Sequence, residues 1–329
     1  MKFNLKKDNH QKKGLPKRRK WIKRSLWIVT GFLVFLNIIA IFHSYKFTHF
    51  SDTSIEKTKS PKKLSTVEKL KALAFGVNNP RPENTTFPSS DFETIKLKSN
   101  SEIECWYLRL DQSKGTVILF HGFGGSKSTM IERARIFNQL GYDAFLVDFM
   151  GSGGSEGNQT TIGFLEAEQV KTCFDFITKK GEKNLYMFGT SMGAVAIMKA
   201  ISDYDIKPKG LILECPFGSM YKTVCSRFKT MNAPTFPMAG LLVFWGGLQN
   251  GFWAFEHNPI DYAKKINCPT LLVYGAKDEK VSREEIEQIF GNLPQPKKLK
   301  TYQEAGHENY LKGYKDEWIK AVKDFLERE

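Results

Sequence analysis

Cysteine is scarce in this chain of 329 residues: there are five (Cys105, Cys173, Cys215, Cys225 and Cys268), none in a C-x-x-C pair. That argues against zinc or dithiol spacing, and a chain this long can build a core without a disulfide scaffold. The odd count leaves at least one thiol free in an oxidising compartment. There is no internal repeat. The Gly-rich stretch DFMGSGGSEG (148–157) lacks the Gly-Lys-Ser/Thr ending of a phosphate loop, and GFGGS (122–126) lacks the third glycine and acidic partner of a dinucleotide fingerprint. Neither kind of nucleotide site is expected.

Acidic residues are nearly missing from the first 24 positions, which carry eleven Lys or Arg against one Asp. This leader holds +10 of the formal +14, so the other 305 residues are close to balanced. A nucleic-acid partner is therefore not expected; the charge is a local feature.

Charge then disappears. Residues 25–45, SLWIVTGFLVFLNIIAIFHSY, contain no Lys, Arg, Asp or Glu. As a helix they span roughly 31 Å, the thickness of bilayer hydrocarbon. Trp21, Trp27 and Tyr45 sit near the ends, where amphipathic rings favour the headgroup layer, and KRRKWIKR (17–24) marks the cytoplasmic side. The expectation is a basic cytoplasmic tail (1–24), a transmembrane anchor (25–45) and a domain facing the periplasm or cell exterior. The alternatives are a cleaved signal, which lacks a convincing A-x-A site, and a buried core helix, which would not follow so dense a basic block.

Residues 46–60 read as a polar tether, with Ser60 and Pro61 as an N-cap and first-turn pair. Leu64, Val67, Leu70, Ala74 and Val77 then recur at helical spacing, giving a short amphipathic helix within 46–91. FETIKLK and IECWYLRL around SNSE predict a hairpin. Apolar runs follow at 116–120, 144–149, 185–189, 211–215, 270–275 and 298–302. Helices are expected at about 127–140, 161–180, 192–203, 283–290 and 309–327. Such alternation predicts an α/β domain over 92–329, with a mostly parallel sheet and helices on both faces. Residues 217–258 break it. Too long for a connection and too apolar for a solvated loop, they are expected to form a lid over the C-terminal edge of the sheet; the alternative is an unusual core helix.

GTSMG (189–193) is weak by itself, since a random chain of this length shows G-x-S-x-G roughly one time in ten. Its context strengthens it: LYMF before is a strand and AVAIMKAI after is a helix. A sharp strand-to-helix turn needs small residues two before and two after the serine, and holds the Ser191 hydroxyl above the sheet edge. A serine needs a base. His10, His43 and His49 lie in the tail, anchor and tether, leaving His121, His257 and His307. His307, in QEAGHENY after the last strand, can reach back to Ser191, whereas His121 reads as a brace for its Gly-rich turn. Asp278, in VYGAKDEKV, is the expected acid, with Glu279 and Glu214 as alternatives. The oxyanion donors are expected to be the backbone amides of Phe123 and Met192.

These five motifs in order resemble the α/β-hydrolase fold over about residues 90–327. They are most similar to the bacterial membrane-anchored hydrolases of the serine-aminopeptidase-like group. In that group the second motif usually has Arg where Met150 stands, so any salt bridge of that Arg is absent here. The resemblance implies acyl hydrolysis of an ester, thioester or amide without a cofactor. The apolar lid residues Phe236, Leu241, Phe244, Trp245, Phe252 and Trp253 favour a small-molecule or lipid-like acyl ester. An aminopeptidase-like enzyme should hold an acidic group in the lid, where Glu256 is the only one. A non-catalytic binding module would not need an intact Ser, Asp and His set.

Overall fold

The computed structural model describes residues 17–59 and 64–327. The chain divides into two compact units, Met1–Ile39 and Ala40–Glu329. Helix α1 runs Lys17–Thr48, and its apolar stretch is the one helix among the described residues long and apolar enough to cross a membrane (mean hydropathy 2.3). Residues 1–16 of the basic leader, with His10, and the Ser60–Pro61 pair lie outside the described residues.

The segment read as a tether behaves differently. Thr48 and Phe50 are buried, Phe50 N–H donates to Asn158 O (2.7 Å), and Ser51 N–H donates to Asn79 O (2.8 Å). Backbone pairing, invisible to composition, builds this polar stretch into the second unit. The amphipathic helix α2 (Thr66–Phe75) is shorter than its pattern, because Ser65 caps it in a capping box with Glu68.

The hairpin strands are β1 (Glu93–Lys98) and β2 (Glu102–Leu108). Six strands follow: β3 (Thr116–Phe120), β4 (Asp143–Val147), β5 (Leu185–Thr190), β6 (Gly210–Glu214), β7 (Thr270–Gly275) and β8 (Lys297–Tyr302). They form one sheet in the order β1-β2-β4-β3-β5-β6-β7-β8. β1 pairs antiparallel with β2 and β2 with β4; all other pairs are parallel. The sheet reverses its winding at β3, so the carboxyl ends of β3 and β5 open where ligand sites form in such sheets. β3, β4 and β6 are buried at every position, as expected of strands covered on both faces.

The connecting helices are α3 (Ile131–Gln139), α4 (Glu166–Lys179), α5 (Met192–Tyr204), α6 (Met220–Thr230), α7 (Met238–Gln249), α8 (Pro259–Tyr262), α9 (Arg283–Asn292), α10 (Tyr310–Gly313) and α11 (Lys315–Leu326). They cover two apolar cores. One is built around Ile118, Phe120, Val195 and Leu213, the other around Phe137, Phe188, Ile212 and Trp318. Phe188 is fully buried between Phe137 and Trp318, so Phe188→Ala should cost about 3–5 kcal/mol.

Two helices differ from their sequence spacing. α4 starts at Glu166 rather than 161, because Ile162 (φ 60°) and Gly163 (φ 98°) take left-handed conformations. Glu166 ties that turn down, accepting from the amides of Thr161 (2.9 Å) and Gly163 (3.0 Å). The last expected helix is split at Tyr314 into α10 and α11.

Candidate active site

Strand β5 delivers its chain into α5 through Ser191, whose backbone (φ 51°, ψ −110°) is far from helix or strand. The flanking glycines explain how such a turn closes. A Cβ on Gly189 would lie 2.6 Å from Ala194 N, and one on Gly193 would lie 2.4 Å from Phe120 O. Neither neighbour can yield, since both are backbone atoms of packed elements. Strain of this kind persists only where the surroundings over-determine it. It lifts Ser191 to the start of α5, whose first amides have no partner within the helix.

Two loops on the same edge complete the group. Asp278 follows β7, and its Oδ1 accepts from the amides of Lys280 (2.8 Å) and Val281 (3.0 Å), which locks the carboxylate. Oδ2 is 2.7 Å from His307 Nδ1, and His307 Nε2 is 3.1 Å from Ser191 Oγ. With Nδ1–H donating to Asp278, Nε2 is left to accept from the serine hydroxyl. Desolvation disfavours the imidazolium, but the Cys215 sulfur and the Asp278 carboxylate outweigh it and raise the His307 pKa above its ordinary value. Phe123 and Met192 line the same cavity, of about 300 Å³, as Ser191 and His307.

Three comparisons bear on this arrangement. The family described as serine aminopeptidase, S33 matches residues 111–244. The uncharacterized protein YqkD of Bacillus subtilis (strain 168) is 23% identical over 230 residues, covering 69% of this chain and 75% of that protein. The lysophosphatidylserine lipase ABHD12 of Danio rerio is 26% identical over 207 residues, 59% of this chain; the chain spans about half of that relative (51%). Among solved structures, the Pyrococcus furiosus esterase Pf2001 superposes with a TM-score of 0.64 at 22% identity, covering 76% of this chain and 97% of the esterase.

The chain has the α/β-hydrolase fold.

In this hydrolase-fold chain the other candidate residues have other partners. Glu214 accepts from Arg133 (2.7 Å), Trp318 Nε1 (2.7 Å) and Thr190 (3.0 Å), so its carboxylate is committed beneath the site. Glu279, the other alternative acid, is exposed. His121 accepts from Phe149 N–H at Nε2 (3.1 Å), and its Nδ1 faces Gly122 O (2.9 Å). His257 is fully buried, its Nε2 donating to Ile162 O (3.0 Å) and its Nδ1 meeting the Tyr262 hydroxyl (3.1 Å). Burial pushes the His257 pKa down to about 4.

The Gly-rich turn after β4 shows residues that motif reading missed. Met150 is buried, and no charge stands there. Instead Lys127, two residues past GFGG, places its ammonium 2.5 Å from Asp148 Oδ2 and 2.8 Å from Glu104. Asp148 also accepts from the amides of Lys127 (2.6 Å) and Gly154 (2.8 Å) and from Asn84 (2.7 Å). Arg81 donates to the carbonyls of Gly153 (2.9 Å), Ser155 (2.5 Å) and Gly157 (3.1 Å). The signal for Arg81 and Asn84 was only a Pro-rich loop.

Residues 217–258 form α6 and α7, but the six apolar residues expected to face a substrate do not line the cavity. Of residues 217–258, only Phe217, Thr223 and Arg227 line it; Phe236, Leu241, Phe244, Trp245, Phe252 and Trp253 do not. Phe252 stacks on Phe164 (4.1 Å between centroids), and Phe236 and Trp253 are exposed. The apolar sequence of the lid is thus no evidence for an apolar substrate. The apolar wall comes from Phe123, Met130, Ile162, Met192, Phe217 and Val281.

Metal ligation offers little. Cys215, Asp278 and His307 present ligand atoms within 4.8 Å of one another. A cation held there would occupy the Asp278 and His307 atoms that bond to each other and to Ser191.

Proposed function

We propose that the chain is a serine hydrolase that cleaves acyl esters through an acyl-enzyme. The observation that carries this is the continuous Asp278–His307–Ser191 chain, 2.7 and 3.1 Å per link, at a strained turn that opens into a cavity. Ser191 Oγ attacks the acyl carbon while His307 Nε2 takes its proton, and Asp278 holds the ring and stabilises the imidazolium. The Phe123 and Met192 amides receive the tetrahedral oxyanion. The ester C–O bond breaks, His307 protonates the departing alcohol, and water frees the acid by the same route.

An ester is favoured over a peptide with a free amino terminus. Glu256 is not among the residues lining the cavity, whereas Arg227 and Lys280 are, and they repel a protonated amine. The relative named as a lysophosphatidylserine lipase and the solved esterase agree with that choice. Ser191→Ala should lower p-nitrophenyl ester hydrolysis by about three orders of magnitude or more, and a fluorophosphonate should label Ser191. Unchanged hydrolysis in a folded S191A protein overturns the nucleophile, and failure to label favours a binding module. We also assign the N-terminal helix as an uncleaved anchor with the catalytic unit outside the cytoplasm. A reporter enzyme active only there, fused after Glu329, should be active; an inactive reporter on stable protein reverses the orientation.

A further inference from the structure

Among the described residues the fully buried cations are paired. Lys127 meets Asp148 and Glu104, and Arg133 meets Glu214. Arg227, half-buried on α6, has no carboxylate to offset its desolvation, which pushes its pKa down to about 10. Its guanidinium lies instead over the rings of Phe47 (4.5 Å) and Phe123 (5.9 Å), beside the turn that carries one expected oxyanion donor. One helical turn earlier, Thr223 lines the same cavity, and its buried Oγ1 has no hydrogen-bond partner. Lys280 comes from the Asp278 loop and lines the mouth; desolvation, Arg227 and Lys57 oppose its charge, while Asp278 favours it. The Lys57 ammonium lies 3.3 Å from where a Cβ on Gly124 would stand. Against these stands one carboxylate in the wall besides the relay, that of Glu308, which is exposed.

Cations that outnumber the carboxylates around a cavity, beside a buried hydroxyl without a partner, are what an anion-binding site needs. A guanidinium fork and a hydroxyl one turn apart on α6, faced by an ammonium from the Asp278 loop, suit the three oxygens of a phosphate better than the two of a carboxylate. Lys280 is exposed, so an anion held there lies toward solvent, the side by which a departing alcohol can exit. The acyl part stays on Ser191 among Ile162, Met192 and Phe217.

We propose that the cavity takes an acyl ester whose alcohol carries a phosphate, seated between Arg227, Lys280 and the Thr223 hydroxyl. This rests on Ser191 being the nucleophile. The test uses the full chain in detergent micelles and three esters with the same octanoyl group: octanoylglycerol, its phosphate and its hemisuccinate. The phosphate should show the highest kcat/KM. R227Q and K280Q should each cut its lead over the neutral ester by about ten- to a hundredfold, mostly through KM, the range for losing a charged hydrogen bond. R227K should keep part of the lead, and T223V should cut it less. K280Q replaces an exposed side chain, so it remains informative if R227Q fails to fold. No lead for the phosphate, equal losses on the neutral ester and the phosphate, or a hemisuccinate turned over as well as the phosphate overturns the inference. If S191A still cleaves p-nitrophenyl esters, the nucleophile reading fails. If cleavage depends on Ser191 but ignores phosphate, only this inference fails.

Discussion

Replacing Lys127 with methionine tests how the Gly-rich turns are held. The Lys127 and Asp148 side chains are both fully buried, so their charges are screened little. Methionine matches the lysine stem in length and leaves Asp148 with three neutral donors, the amides of Lys127 and Gly154 and the side chain of Asn84. Stranding one member of a buried pair costs about 3–5 kcal/mol, and the remaining donors place K127M in the lower half of that range. Roughly 290 residues unfold with an entropy near 0.6 kcal/mol/K, so Tm should fall by about 5–7 °C. The loss should reach the chemistry too, because the same turn carries Phe123; kcat should drop about tenfold if its amide, the proposed oxyanion donor, is displaced. Differential scanning calorimetry and p-nitrophenyl ester turnover give the two readouts. The double variant K127M/D148N removes the stranded charge and should recover part of the stability. A K127M protein melting within 2 °C of wild type, or a double variant no better than the single, refutes the argument.

Gly193→Ala puts a methyl group 2.4 Å from Phe120 O and should lower stability by about 1–3 kcal/mol while removing most esterase activity; a melting curve and a turnover assay suffice. In the proposed mechanism His307 must be neutral to accept the Ser191 proton, and its pKa is raised, so kcat/KM should climb with pH through an apparent pKa above 6.5. A limb at or below 6.5 contradicts the raised imidazole. His257 has the opposite sign. Its folded pKa of about 4 lies below the unfolded 6.5, so only the unfolded chain takes up a proton between them, and stability should fall as pH drops from 6.5 to 4. That slope should shrink in a folded His257→Gln protein, as measured by denaturant melts.

The strand and helix order was legible because buried parallel strands are short apolar runs and their helices keep a 3.6 period. The spacing of Gly189, Ser191 and Gly193 announced the turn for a steric reason that the backbone distances reproduce. Asp278 and His307 were legible from their place after β7 and β8. What sequence could not show was direction. The aromatic lid residues fit an amphipathic pattern equally well facing in or out, and they do not line the cavity. Arg81, Asn84 and Lys127 act through backbone carbonyls and the carboxylates of Asp148 and Glu104, contacts that carry no periodic signature. The supposed tether looked solvated because its side chains are polar, yet its backbone pairs with the domain at residues 50 and 51.

The end of α1 bears on what release from the membrane would do. Phe47 stacks on Phe123 (4.8 Å between centroids), and Phe50 leans on the same ring (5.8 Å). A protease clipping the chain beyond its apolar stretch, at residue 50 or later, strips this aromatic buttress from the turn bearing one proposed oxyanion amide. Shedding at such a site would loosen the turn rather than simply free the domain, and a released form keeps both rings only if it begins at or before Phe47.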